Sequence, residues 1–358
     1  MRRGKKKLRV GIIGVGGISR VHLEGYAKIS DLVEVVAFCD IIPERAKAGA
    51  ERYGAPGAKV FTDYRELLEM KDLDAVSICT PNNLHAPMTI DALRSGKHVL
   101  CEKPMAITSE EADAMVKTAK ETGLKLSVGY QSRYSDDAQL LKRMILDGEL
   151  GKIYYAEALA LRRRGVPTWG VFLSKEKQGG GPLIDIGTHS LDLTLWLMGD
   201  YSKPVEILGS SYKELAPLGG YNAWGPWDPK SFEVEDSAFG FVKLESGATI
   251  VVKASWALNI KEDEHGSVLC GTKGGARLVN NVLTINKEGN NRLWDIAPVP
   301  TRSQESLYDR EIAYWVDCLI NDKEPLVKAE EAAQVTRILE MIYKSSETKK
   351  LVGTSKKK

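Results

Sequence analysis

Several groups of residues in this 358-residue chain have types and spacings that can do chemistry. Lys103 stands between Glu102 and Pro104, directly after the apolar run 98–101. A lysine amine there can move a proton or steady an oxyanion. Pro104 removes a backbone donor and restricts the chain direction. Asp185 and His189 lie four apart in the stretch from Gly179-Gly180-Gly181 to Asp192. On a helix that spacing puts both on one face. An imidazole titrating near neutrality suits an alcohol proton. Plainer readings stand beside these: Glu102–Lys103 as a surface pair, and His189 as a core histidine satisfied by Asp185. Two such ligands with no third nearby do not make a zinc site, so no metal is expected.

A second set of residues reads as a nucleotide site. Gly14-Val15-Gly16-Gly17-Ile18-Ser19 follows an apolar run and opens a helical pattern. Gly14 allows a tight turn, Gly16 lets backbone approach a pyrophosphate, and Gly17 and Ile18 lead into a helix amino terminus that favours anions. Asp40 ends the next apolar run, where a carboxylate takes the ribose hydroxyls of an adenosine; with Pro43 following, it also suits a helix cap. A carboxylate there repels a 2′-phosphate, and Ile41 and Ile42 offer no cation, so NAD is expected over NADP. The polar loop Thr80-Pro81-Asn82-Asn83-Leu84-His85 is expected beside the nicotinamide half. A lysine near a nicotinamide implies hydride transfer coupled to proton transfer.

The elements that must position these groups follow a simple order. Strand patterns at 8–13, 33–39, 74–79, 98–101 and 124–128 alternate with helical patterns at 18–29, 43–53, 85–95 and 109–121. Such alternation implies a parallel sheet built from βαβ units. Open sheets of this kind bind ligands at the carboxyl ends of their strands. Beyond 148–151 the pattern changes. A long strand at 152–164 and one apolar helix at 187–198 precede β-type runs at 205–212, 237–244, 248–256, 267–270, 276–279 and 282–286. Hairpin turns such as Glu245-Ser246-Gly247 separate them. Helical patterns return at 305–320 and 329–347. The expected domains are 1–130, a Rossmann dinucleotide-binding domain, and 131–358, an α+β domain with an open, mainly antiparallel sheet and flanking helices. The last helices are candidates to pack back on the first domain.

Composition bounds the rest. A net charge of +2 selects neither nucleic acid nor membrane. The short basic ends, 1–7 and 356–358, read as solvated tails. The five cysteines (39, 79, 101, 270 and 318) contain no Cys-x-x-Cys pair, which argues against a disulfide framework and a structural zinc. No apolar run is long enough to span a membrane. A cytoplasmic, reducing compartment is the expectation.

Taken together, these residues resemble the glucose-fructose oxidoreductase / inositol dehydrogenase family, Gfo/Idh/MocA. The resemblance runs through Gly11-Ile12-Ile13-Gly14-Val15-Gly16, Cys79-Thr80-Pro81-Asn82, Cys101-Glu102-Lys103-Pro104, the segment from Gly179 to His189, Val234-Glu235-Asp236 and Tyr343-Lys344-Ser345-Ser346-Glu347. The family implies oxidation or reduction of a sugar, inositol or related polyol carbon, in homo-oligomers packed through the second sheet. By resemblance Lys103 is the catalytic lysine, and Asp185 and His189 complete a polar triad around the reacting hydroxyl. Gln131 falls to the cofactor and Arg133 to the substrate, in Tyr130-Gln131-Ser132-Arg133, where relatives often show an Asn-Arg pair. Ser19 departs from the family's third glycine. Trp169, after Arg162-Arg163-Arg164, is expected to cover the nicotinamide or the substrate.

The resulting expectation is an NAD-dependent oxidoreductase of a sugar, inositol or glycoside, in a dimer or tetramer. Lys103 or His189 takes the hydroxyl proton and Asp185 supports the charged partner. An alternative is an NAD-dependent glycosidase that oxidises sugar C3 transiently. Another is a non-catalytic NAD-binding protein. The aromatic loop Tyr221-Asn222-Ala223-Trp224-Gly225-Pro226-Trp227 suits a sugar face or an oligomer contact.

Overall fold

The structure is a computed structural model that describes residues 7–299 and 303–353. The basic ends lie outside the described residues, Lys7 apart. The chain divides into two compact units. The first takes the chain up to Ala106, Glu110–Gln131 and Ser303–Ala333; the second takes Ile107–Ser109, the stretch from Ser132 and the chain from Gln334 on.

The first unit begins β1 (Leu8–Ile13), α1 (Ser19–Lys28), β2 (Val33–Cys39), α2 (Pro43–Tyr53), β3 (Lys59–Phe61), α3 (Tyr64–Leu68) and β4 (Ala75–Ile78). It continues α4 (His85–Arg94), β5 (His98–Cys101), α5 (Ser109–Thr122) and β6 (Leu126–Val128). The strands form one six-stranded sheet in the order β3-β2-β1-β4-β5-β6. All of its pairings are parallel. Such sheets are covered on both faces, which is why β2 and β4 read as nearly unbroken apolar runs. The order reverses between β1 and β4, the point at which open sheets of this kind bind ligands.

The second unit carries α6 (Asp136–Leu146), β7 (Ile153–Leu161), α7 (Lys175–Gln178), a π-helical turn at Leu183–Gly187 and α8 (Thr188–Met198). Its remaining strands are β8 (Pro204–Tyr212), β9 (Ser237–Leu244), β10 (Thr249–Ser255), β11 (Glu264–Gly271), β12 (Gly275–Val279), β13 (Val282–Gly289) and β14 (Arg292–Ile296). They form an eight-stranded sheet, β14-β13-β12-β11-β7-β10-β9-β8. It is antiparallel except where β10 pairs with β7. α8 is apolar nearly all round and packs over β7 and β11, so it is buried.

Two helices close the chain, α9 (Leu307–Ile320) and α10 (Ala329–Thr348). α9 belongs to the first unit, so residues 303–333 do not stay with 131–302 as a single cut at 130 would require. Its Ile312, Trp315 and Val316 join Leu23 and Tyr26 of α1 in one buried cluster. A Cβ at Gly25 would sit 3.0 Å from the Ile312 side chain, so the two helices approach closely there. α3, β3, α6, α7 and β14 were not among the expected elements. β3 is only three residues long, and every residue of β14 is exposed, so neither carries a readable period. α6 had a signal, the Ser135 cap that accepts from the Ala138 backbone N–H. Among the described residues no helix is long and apolar enough to cross a membrane.

Ile312 is fully buried against α1. Ile312→Ala should cost about 2–5 kcal/mol in urea unfolding of the first unit. A cost near zero would show that the α9 contact does not hold the unit together.

Candidate active site

In the first unit the site is built at the carboxyl edge of the parallel sheet. Gly14 has φ +87°, and a Cβ there would lie 2.7 Å from the Cys79 carbonyl oxygen. Only glycine lets the turn after β1 run so close to the end of β4. Ser19 closes the turn by donating from Oγ to the Gly16 carbonyl at 2.7 Å. The departure from a third glycine is thus filled by a hydrogen bond. Asp40 is not the side-chain cap of α2, which starts after Ile42 without one. Its two oxygens accept from the backbone N–H groups of Val15 and Ile42, each at 2.8 Å. The carboxylate therefore ties the glycine turn to the end of β2.

Lys103 follows β5, and the Lys103–Pro104 peptide is cis. Glu102 beside it is buried, 4% exposed, and its Oε1 lies 2.8 Å from His22 Nε2. Its Oε2 accepts from the Lys103 backbone N–H. Burial pushes the Glu102 carboxyl up, but the hydrogen bond from His22 and the charges of His22, Lys103 and His85 outweigh it and hold the carboxyl below its ordinary value. His22 was not foreseen. Its only sequence signal is a position one helical turn past Ser19. His85 is buried, with its ring nitrogens 2.7 Å from the Pro104 carbonyl oxygen and 2.9 Å from that of Thr80. Desolvation lowers its pKa. It pins the loops after β4 and β5 together. Tyr308, on α9, accepts a hydrogen bond from Gln131 Nε2 at 3.1 Å. A residue 177 positions away thus joins this edge, with no local sequence signal.

These residues fit a bound dinucleotide. A Cβ at Gly16 or Gly17 would meet nothing within 4 Å, so the space over the start of α1 is open. Thr80 Oγ1, Asn83 Oδ1 and Gln131 Oε1 are buried with no partner among the described residues. Buried polar atoms call for partners, and ribose and nicotinamide groups supply them. Ile18 precedes α1, and Pro81 and Asn82 sit at a 3₁₀ turn in the same edge.

In the second unit, the π turn carries the helix back to Leu183, so Asp185 and His189 lie on one helical run rather than astride its start. π turns often mark functional positions. Asp185 Oδ2 accepts from Trp256 Nε1 at 3.0 Å. The run starts in a crowded corner: a Cβ at Gly181 would collide with the Glu235 carbonyl oxygen. Glu235 accepts from the backbone N–H groups of Gly181 and Leu183 and from the Tyr343 hydroxyl. Its place in Val234-Glu235-Asp236 gives no local sign of this role, yet it anchors the segment that bears Asp185.

Arg133 corrects the sequence reading. Its side chain is fully buried, and its Nε and Nη2 donate to the Asp192 carboxylate at 2.9 and 2.6 Å. The guanidinium is committed to an internal ion pair rather than offered to a substrate. Trp169 is 53% exposed and stacks edge-on against Phe172 and Trp224.

The profile of an oxidoreductase family's NAD-binding Rossmann fold matches residues 8–130, and that family's C-terminal alpha/beta domain matches 142–354. The chain belongs to the GFO/IDH/MocA family. It is 36% identical over 348 residues to D-glucoside 3-dehydrogenase of Escherichia coli (strain K12), covering 95% of this chain and 96% of that one. It is 32% identical over 272 residues to inositol 2-dehydrogenase of Salmonella typhimurium, covering 76% and 74%. Levoglucosan dehydrogenase in complex with NADH and levoglucosan shares the fold at TM-score 0.83 and 22% identity, over 98% of this chain and 100% of that one. As a GFO/IDH/MocA member, the chain carries an NAD-binding Rossmann domain, and the glycine turn and unpartnered edge atoms are its fitting features.

A carboxyl held below its unfolded value adds stability above that value, and the contribution is lost as pH falls through the folded value. Glu102 is such a group, with an ordinary value of 4.5. The urea midpoint of the wild type should therefore fall more steeply below about pH 4.5 than that of Glu102→Gln. Parallel curves would remove Glu102 from the acid lability.

Proposed function

We propose that the protein oxidises a secondary ring hydroxyl of a glucoside-type sugar, with NAD preferred over NADP. The reading rests on one observation above all: Lys103, beside the buried Glu102, follows a strand of an NAD-binding sheet, while Asp185 and His189 share one helical run in a chain 36% identical to a D-glucoside 3-dehydrogenase. A nicotinamide held at this edge would supply the hydride acceptor for the carbon that bears the hydroxyl. Lys103 or His189 takes the hydroxyl proton. Lys103 steadies the developing oxyanion, and Asp185, oriented by Trp256, supports the positive charge left on the base. Gln131 and His85 belong to the cofactor side, the first through its buried oxygen, the second by bracing the loop that carries Lys103.

The NAD preference follows from Asp40 and its neighbours. Ile41, at 88% exposure, and Ile42 flank the carboxylate with no cation to hold a 2′-phosphate. Homo-oligomerisation through the second sheet is part of the same proposal. Leu208 and Phe241 are paired on β8 and β9, opposite the glycines that face α10, and stay about half exposed. Phe241→Glu should shift the mass measured by light scattering toward the monomer; an unchanged mass would place the contact elsewhere.

The decisive assay follows absorbance at 340 nm with NAD or NADP and a panel of glucosides, free hexoses and inositols, with cleavage products measured in parallel. Net reduction of NAD with glucosides is expected. Lys103→Ala should lower turnover by about 10²-fold or more and leave NAD binding intact. Wild-type turnover in that variant would defeat the assignment. Glycoside cleavage without net reduction would instead indicate transient oxidation in a glycosidase.

A further inference from the structure

We infer that an open groove on the second unit is a subsite for the second saccharide ring of a disaccharide. The inference rests on the reading of Asp185 and His189 as residues at the reacting hydroxyl. The groove, about 710 Å³, is lined by Arg163, Arg164, Tyr221, Ala223, Asn259, Ile260 and Asp263.

An unbroken aromatic path connects it to Asp185. Trp256 donates to Asp185, and its ring lies 6.5 Å from that of Phe172. Phe172 lies 6.0 Å from Trp169, and Trp169 lies 5.2 Å from Trp224. Trp224 in turn covers the Arg162 guanidinium at 4.9 Å. Arg162 leads into Arg163 and Arg164, and Trp224 is next to Ala223, so the path ends in the groove wall. The two loops that bear it are pinned together. The Val166 backbone N–H donates to Asn222 Oδ1, the Asn222 amide donates back to the Val166 carbonyl, and Ala223 N–H donates to the Arg164 carbonyl.

The chemistry of the lining selects a neutral polyhydroxylated ring. Arg164 spends its guanidinium on the carbonyls of Arg163 and Leu258 and on Asn259 Oδ1. Asp263 accepts from the Arg163 backbone N–H, which puts a carboxylate among the cations. That mixture of donors and acceptors suits sugar hydroxyls better than a phosphate. Tyr221, 78% exposed, supplies the groove with a ring face for sugar C–H groups, and the half-exposed Trp169 and Trp224 stand beside its wall through Ala223.

The test compares methyl D-glucopyranosides with maltose, cellobiose, trehalose and sucrose in the wild type and in Tyr221→Ala. At least one disaccharide should exceed the methyl glucoside in kcat/KM by about tenfold. Tyr221→Ala should remove most of that advantage and leave the methyl glucoside within about twofold. Equal kcat/KM for both classes in the wild type, a loss in Tyr221→Ala that falls on both alike, or a preference for glucose 6-phosphate over the disaccharides would overturn the subsite. Quenching of tryptophan fluorescence reads the groove without turnover. Tyr221-dependent quenching by a disaccharide in a protein that turns over none of the panel would uphold the subsite and sink the oxidation itself. Absence of such quenching, together with absence of turnover, would sink both.

Discussion

A carboxylate taken out of water must be met by donors, and this protein meets its buried carboxylates with the backbone and side chains that form its site. Asp40 takes the N–H groups of the glycine turn and of the start of α2. Glu102 takes His22 from the helix after that turn and the N–H of Lys103. Asp185 takes the Trp256 indole, and Asp236, almost fully buried, takes the N–H groups of Leu215 and Ala216. Removing any one of these acids frees a loop rather than a single contact. Position is therefore imposed on the reactive groups by the cost of leaving charge unpaired.

The Glu102–His22 pair joins two segments of the first unit. α1 begins at the turn that fits a pyrophosphate, and the same helix supplies the imidazole that holds Glu102. Glu102 directly precedes Lys103. Helix α1 and the loop that carries Lys103 are therefore parts of one hydrogen-bonded assembly. His85 closes it from the other side, through carbonyls of the loops after β4 and β5.

The second unit uses a different device. Three consecutive glycines let the segment before the π turn pass against Ile107, Tyr343 and Glu235, where any side chain would collide. The close fit starts the buried helix in one place, and Glu235 satisfies its first N–H groups. Asp185 and His189 then lie on that one run, with Asp185 held by the Trp256 indole. From there the aromatic side chains lead outward to an open, mixed-charge groove.

Much of this was legible in order along the chain. The parallel-sheet pattern, the glycine turn, Asp40, Lys103 and the Asp185–His189 spacing are local signals, because helix and strand periods and turn chemistry act over a few residues. They determined the fold class and the family. What the tertiary structure decided was the use of each charge. Arg133 and Asp192 sit 59 positions apart and neutralise each other in the interior. His22 and Glu102 are 80 positions apart, and Tyr308 reaches Gln131 from the far end of the chain. Pairings at that separation leave no periodic trace, since each residue alone looks like an ordinary polar side chain. Burial selects the partners, and burial exists only once the strands and helices have packed.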